Sequence, residues 1–253
     1  MPTDPDPVLR LLWRHVVPAS DAAPRRGPRP KVSVDEVVDA AVELADAEGL
    51  AALSMRSLAQ RLGMGAMSVY GYVANRNDLI VLMVDQVLGE ATLPPMKGDL
   101  RTRLRLVAEA QLADCRAHPW LLDVAGLRPW LGPNAADRYE WQLAAVDGIG
   151  LSDVEMDQTV TLVAGFAANV ARAEHAVRVA ERESGLTDLE WWEANSGELG
   201  EVMAHRDYPL AGRVGSAAGE AYQAGTDPQL EREFGLERIL DGIEVYVASL
   251  RSR

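Results

Sequence analysis

The chain has 253 residues, 48% hydrophobic, 25% charged and 6% aromatic, with a formal net charge of −13. These are the proportions of a globular protein with ample core, in one large domain or two smaller ones. The single cysteine, Cys115, excludes an intrachain disulfide, suits a reducing cytoplasm and reads as a small apolar residue. The longest apolar run, 160–171, spans 12 residues, short of the roughly 20 that a membrane span requires.

Aromatics are sparse and β-branched residues form no alternating runs, so an all-α fold is expected. In residues 8–17 an apolar run is broken by Arg10, Arg14 and His15 and lacks a small-residue cleavage site, which excludes a secretory signal. Residues 5–17 read either as a short helix with Leu9, Leu12, Trp13 and Val16 on one side or as a loose tail. Arg25-Arg26-Gly-Pro-Arg29-Pro-Lys31 cannot be helical with two prolines. It is a basic extended arm, either a solvated linker or an arm reaching a DNA minor groove.

Ser33-Val-Asp-Glu36 is a capping box, and Val34, Val37, Val38, Ala41, Leu44 and Ala45 then give a helix one buried face, ended by Gly49. From Leu53 to Leu79 the pattern is a short helix, a glycine turn, a second short helix and the start of a longer one. Leu58, Ala59 and Leu62 form the apolar stripe, and Gly63 sits where a left-handed residue would stop the first helix. Two short helices joined by such a turn are the signature of a helix-turn-helix. Asn75 to Asp78 opens a helix running to about Glu90.

Pro94-Pro95 and Gly98 mark a break. Proline punctuation then separates helices at 99–117, 120–126 and 134–149. Ser152 to Glu155 is a second capping box and starts the longest helix, to about Ser184. A third, Thr187 to Glu190, starts a helix weakly defined around 195–200; another spans 209–224, and Asp227-Pro228 opens the last.

The longest helix carries two apolar stripes. One is Met156, Val160, Val163, Ala167 and Val170; the other is Leu162, Gly165, Phe166, Asn169 and Ala173. A helix apolar nearly all round is buried on more than one side. With the terminal helix's stripe of Leu236, Ile239, Leu240, Ile243 and Val247, this reads either as internal core or as a four-helix dimer seam.

The segments Ala-Asp-Ala-Glu-Gly-Leu, Leu-Ser-Met-Arg-Ser-Leu-Ala-Gln-Arg-Leu-Gly-Met and Met-Ser-Val-Tyr-Gly-Tyr-Val-Ala-Asn-Arg-Asn-Asp-Leu within residues 34–83 resemble the TetR family of one-component bacterial regulators. The later Phe-Gly-Leu-Glu-Arg-Ile-Leu-Asp-Gly-Ile resembles the subgroup whose C-terminal half is similar to that of the tetracycline repressor. The resemblance implies an N-terminal three-helix helix-turn-helix domain and a larger C-terminal helical domain for ligand binding and dimerisation. Residues 1–24 are then a tail, 25–92 the DNA-binding domain with its basic arm and connecting helix, and 93–253 the effector-binding and dimerisation domain. The implied partners are a palindromic double-stranded DNA operator, a small-molecule effector and a second copy of the chain. The implied action is repression relieved by that effector, with activation as the alternative, and with no membrane partner or cofactor.

Carried over by position, Arg56, Ala66, Met67, Ser68, Tyr70 and Tyr72 face DNA, Arg76 holds phosphate, and Arg29 and Lys31 belong to the arm. These types suit the task. Arg pairs bidentately with guanine, Ala and Met contact a thymine methyl, and hydroxyls bond phosphates or base edges. Gly71 departs from the family, where many members carry a large or basic residue. Thr92 stands where the tetracycline repressor has its first drug-contacting His, so tetracycline and its magnesium are not implied.

The charge distribution suits the same reading. The first 76 residues carry nine Lys+Arg and nine Asp+Glu, so the whole −13 falls on the remainder, with 16 basic and 29 acidic residues. An effector pocket in a helical body should be apolar with a few polar groups. Its candidates are Trp120, Trp130, Trp141, Phe166, Asn169 and His175, each with core packing or a structural hydrogen bond as the alternative. An enzyme is not expected. Gly63-Met-Gly65 lacks the rest of a dinucleotide fingerprint. The four His residues are not spaced for a metal, and no Gly-x-Ser-x-Gly elbow occurs.

Overall fold

The computed structural model describes residues 7–17, 32–124 and 132–250. Among these residues there are helices and turns but no strand. Helix α2 (Val34–Glu48) begins at Ser33 as the capping box dictates. The Ser33 hydroxyl accepts from the Glu36 N–H at 3.1 Å, and Glu36 accepts from the Ser33 N–H at 2.6 Å. It ends at Gly49, whose φ of +82° disfavours any side chain. A 3₁₀ turn, Leu50–Ala52, leads into α3 (Met55–Arg61). Ser54 caps α3 with Ser57 in the place a Glu would usually take. Gly63 stands at φ +64°, as the spacing predicts. Then follow α4 (Ala66–Val69) and α5 (Arg76–Leu88), the latter capped by Asn75 on the Asp78 N–H at 2.9 Å.

These helices share one core of Val37, Val38, Ala41, Leu44, Leu58, Val69, Val73, Leu79 and Met83. The short helix α1 (Val8–Leu12) docks on it, burying Val8 and Leu12. This is not the face expected from the sequence: Leu9 and Val16 point to solvent, and only Leu12 and part of Trp13 turn inward. An ion pair from Arg14 and a hydrogen bond from His15 to Asp35, at the start of α2, tie the segment down.

In the body, α6 (Leu100–Ala117) lies along α8 (Asp153–Ser184), with α11 (Pro228–Leu250) against both. Their core is Leu104, Val107, Val160, Val163, Leu236 and Leu240, closed by Ala145, Val146 and Ile149. The helix expected at 120–126 is instead a 3₁₀ turn, Pro119–Asp123. The helix expected over 134–149 is α7 (Pro133–Leu143), ending before the left-handed Gly148. The Arg138 guanidinium of α7 and Asp114 of α6 form a buried pair at 3.1 Å, each side chain 5% exposed. Burial pushes the Asp114 carboxyl up, and Arg138 only partly reverses this.

Helix α9 (Asp188–Met203) runs unbroken through the residues where a weak stretch was expected, and it buries none of its side chains. It packs on α10 (Pro209–Tyr222) through Trp192, which occupies the space a Cβ on Gly219 would need, 2.5 Å from that position.

Of the two α8 stripes, one is core: Val160, Val163, Ala167 and Val170 are buried. The other faces mostly outward, with Leu162 52% exposed and Gly165 and Asn169 also exposed, while its Phe166 turns in against the core. The terminal helix's stripe takes the first of its two readings, internal core. Leu236, Leu240, Ile243 and Val247 are buried in the chain's own body and Ile239 packs beside them, so the outward residues of α11 are Phe234, Val245 and Tyr246. Periodicity finds an apolar face but does not say which neighbour claims it.

Candidate DNA-binding and effector sites

The α3–α4 unit presents its polar side outward because Val69 and Leu58 are drawn wholly into the core. Ala66, Ser68 and Tyr70 are exposed, and Met67 is 81% exposed. Tyr72 is only half-buried, with its ring against the core. Arg56 is exposed on α3 and makes no ion pair among the described residues. Arg61, by contrast, pairs with Glu43 of α2 at 2.8 Å. Arg29 and Lys31 lie outside the described residues.

Arg76 has a different place from the one its motif position implies. Its Nε donates to the Leu53 carbonyl at 2.8 Å and its Nη2 to the Leu50 carbonyl at 2.7 Å. The guanidinium therefore holds the connection between α2 and α3 onto the start of α5. The Nη1 amino group and the second N–H of Nη2 are left for a phosphate.

Residues 37–83 match the model of bacterial regulatory proteins of the tetR family. Residues 93–247 match that of the tetracyclin repressor-like C-terminal domain. The chain belongs to the tetR family. The HTH-type transcriptional repressor DrrR1 of Streptomyces coeruleorubidus is 41% identical over 245 residues, 96% of this chain and 87% of that one. Apo ActR of Streptomyces coelicolor superposes with a TM-score of 0.67 at 25% identity, covering 88% of this chain and 99% of that one. ActR in complex with actinorhodin gives 0.66 at 28% identity, covering 84% and 95%.

In this TetR-family body the expected pocket residues do not converge. Trp120 is 2% exposed and belongs to the core of the DNA-reading domain, its Nε1 donating to Asp46 at 2.8 Å. Trp141 donates to the Pro94 carbonyl at 2.7 Å. Asn169 faces out on the second stripe and His175 is half-buried, while Trp130 lies outside the described residues. Phe166, of the described candidates, lines a cavity.

That cavity, about 70 Å³, lies between α6, α8 and α11. Ala108, Leu112, Phe166, Ala167 and Leu236 make its apolar walls; Arg105, Glu109, Arg232 and Glu233 supply charge. The Phe166 ring restricts it by lying against Gly235, 2.4 Å from where a Cβ would stand. Ligand pockets are usually about 300–1,000 Å³, so an effector entering here has to displace Phe166 or part α11 from α6. Reading the residues one at a time misses this site, because Arg105, Arg232 and Leu236 come from helices more than a hundred residues apart in the chain.

The groove along the outer side of α8 and α11 holds Leu162, Ile239, Gly242 and Tyr246. The Tyr246 hydroxyl donates to Glu155, and this bond first, then those from Ser152, hold the Glu155 carboxyl down at about 2. No helix among the described residues is long and apolar enough to cross a membrane.

Proposed function

We propose that this chain is a ligand-responsive repressor that binds a palindromic operator as a homodimer and leaves it when a small amphipathic molecule enters the body. The observation that carries the DNA half is the exposed set on α3 and α4. Arg56, Ala66, Met67, Ser68 and Tyr70 project from a capped, core-anchored unit, with Arg56 free to reach a base edge. The similarity to a repressor over nearly the whole chain supports the sign of regulation.

The dimer rests on the outward faces of α8 and α11. Leu162, Phe234, Val245 and Tyr246 are 52, 67, 71 and 44% exposed, and helices apolar on an outer side form two-fold seams. Such a dimer would set its two recognition helices about 34–36 Å apart, one turn of DNA. For the effector, the cavity against Phe166 offers apolar walls and a charged rim, which suits an apolar molecule carrying a polar or ionised group. ActR has been crystallised with actinorhodin, which supports an organic ligand of that general kind here.

The deciding experiment is an electrophoretic shift with the DNA flanking the gene that encodes the chain. A shift that weakens steeply with salt is expected. No salt-sensitive shift with any fragment would overturn the DNA reading. With a bound fragment in hand, Arg56→Ala should weaken specific binding by about 1–3 kcal/mol.

A further inference from the structure

The joint between the DNA-reading domain and the body is made by ionisable groups that no family motif singled out. From the DNA-reading side come Asp46, in the last turn of α2, and Glu90, just past the end of α5. From the body comes His118, which closes α6. His118 Nδ1 lies 2.9 Å and 3.2 Å from the two Asp46 oxygens, and Nε2 lies 3.1 Å from a Glu90 oxygen. The His118 side chain is 11% exposed, against 33% for Asp46 and 51% for Glu90.

A neutral imidazole carries one N–H and one lone pair. In either tautomer one ring nitrogen would turn a lone pair towards a carboxylate. Only the imidazolium donates on both sides. Burial alone would lower the His118 pKa, but the bonds and charges of Asp46 and then Glu90 outweigh it, and the ring titrates above its ordinary 6.5.

The other charged neighbour is Asp114, one turn earlier on α6, whose charge is matched by Arg138 of α7. From the 3₁₀ turn comes Trp120, a neutral donor on Asp46.

The two arms of this tie are unequal. Asp46 is the more buried carboxylate, with less water to replace a lost donor, so the Nδ1–H tautomer facing it is the one retained. Glu90, more exposed and with no second donor among the described residues of the body, is left facing a lone pair.

We infer that His118 is a proton-operated tie between the two domains, closed as an imidazolium bridging Asp46 and Glu90 and opened on the Glu90 side when it deprotonates. Because α5 carries Leu79, Ile80, Leu82 and Met83 into the core beneath the recognition helix, the tie sets how firmly the body holds the DNA-reading domain. The regulatory consequence rests on the function proposed above; the tie itself does not.

The sign follows from the raised pKa. The tie is complete below the unfolded value of about 6.5 and is lost as pH rises through the higher folded value.

The test is ¹⁵N NMR of the full chain labelled at its four histidines, with the His118 signals assigned by their loss in His118→Gln. The His118 ring should titrate with a midpoint above 6.5, both nitrogens protonated below it, and Glu90→Gln should lower that midpoint. Hydrogen exchange in the last turn of α5, corrected for intrinsic rate, should rise in the wild type between pH 6.5 and the midpoint, by up to about tenfold per pH unit, and level off above it. It should lose that dependence in His118→Gln. A His118 midpoint at or below 6.5, a midpoint unmoved by Glu90→Gln, or exchange that ignores pH would each overturn the tie. If a variant fails to fold, the wild-type charge state and exchange profile decide alone. None of these readouts involves DNA, so failure of the tie and failure of the repressor reading are separable.

Discussion

Replacing Arg76 with Met separates two roles that its position allows. Met keeps the unbranched apolar stem and removes the guanidinium, so the change tests the hydrogen bonds more than the packing. Two bonds disappear, to the Leu53 and Leu50 carbonyls at 2.8 and 2.7 Å. Hydrogen bonds to a charged group contribute about 1.5–3 kcal/mol each, and these sit at a half-buried position where water can replace part of the loss, so the low end applies. The expected cost is about 2–3 kcal/mol, or roughly 4–12 °C in Tm for a chain of this size. It should fall on the DNA-reading domain, because the bonds join its α2–α3 connection to α5. Thermal unfolding gives the Tm, and hydrogen exchange at 50–55 shows where the loss lies. Binding to a cognate fragment should weaken without change in its salt slope. If Arg76→Met leaves stability intact and instead lowers the salt slope by about one, then Arg76 is a phosphate contact and the structural assignment is wrong.

Further substitutions probe the body. Asp85, 6% exposed on α5, accepts the Ala135 N–H at 2.9 Å and so caps α7 from the other domain. Asp85→Ala should cost about 1 kcal/mol and loosen the first turn of α7 in hydrogen exchange, with Asp85→Asn restoring most of it; unchanged exchange there would remove the cap. Leu162→Glu should leave the monomer folded but raise the dimer dissociation constant more than a hundredfold, from about 3 kcal/mol for burying an unpaired charge in the seam. Sedimentation reads this, and a wild-type monomer at micromolar concentration refutes the seam. Glu155 titrates near 2 instead of 4.5, so its contribution is present above about 4.5 and fades as pH falls towards 2. Carbon-detected titration should show Tyr246→Phe lifting the midpoint back towards 4.5; an unmoved midpoint denies the bond its role.

Local features were legible because they depend on residues a few positions apart. Ser33 with Glu36, Ser152 with Glu155 and Thr187 with Glu190 each start a helix where the pattern places it. Gly63 ends α3 in the left-handed region. The faces pointing inward were harder. Hydropathy marks Leu240 and Leu162 alike, yet Leu240 is fully buried and Leu162 about half exposed. Trp120 reads equally well as pocket or core, and only the fold places it beneath α2 with its N–H on Asp46.

By itself, the sequence determined the all-helical class, the order of most helices and the helix-turn-helix, because caps, turn glycines and helical periodicity act over one or two turns of chain. Tertiary structure decided the rest. It turned Arg76 inward, set the Phe166 ring against Gly235, and brought Asp46, Glu90 and His118 within hydrogen-bond reach. Those contacts join residues separated by 23 to 72 positions. No local pattern encodes them, since they exist only once burial has chosen which helices meet.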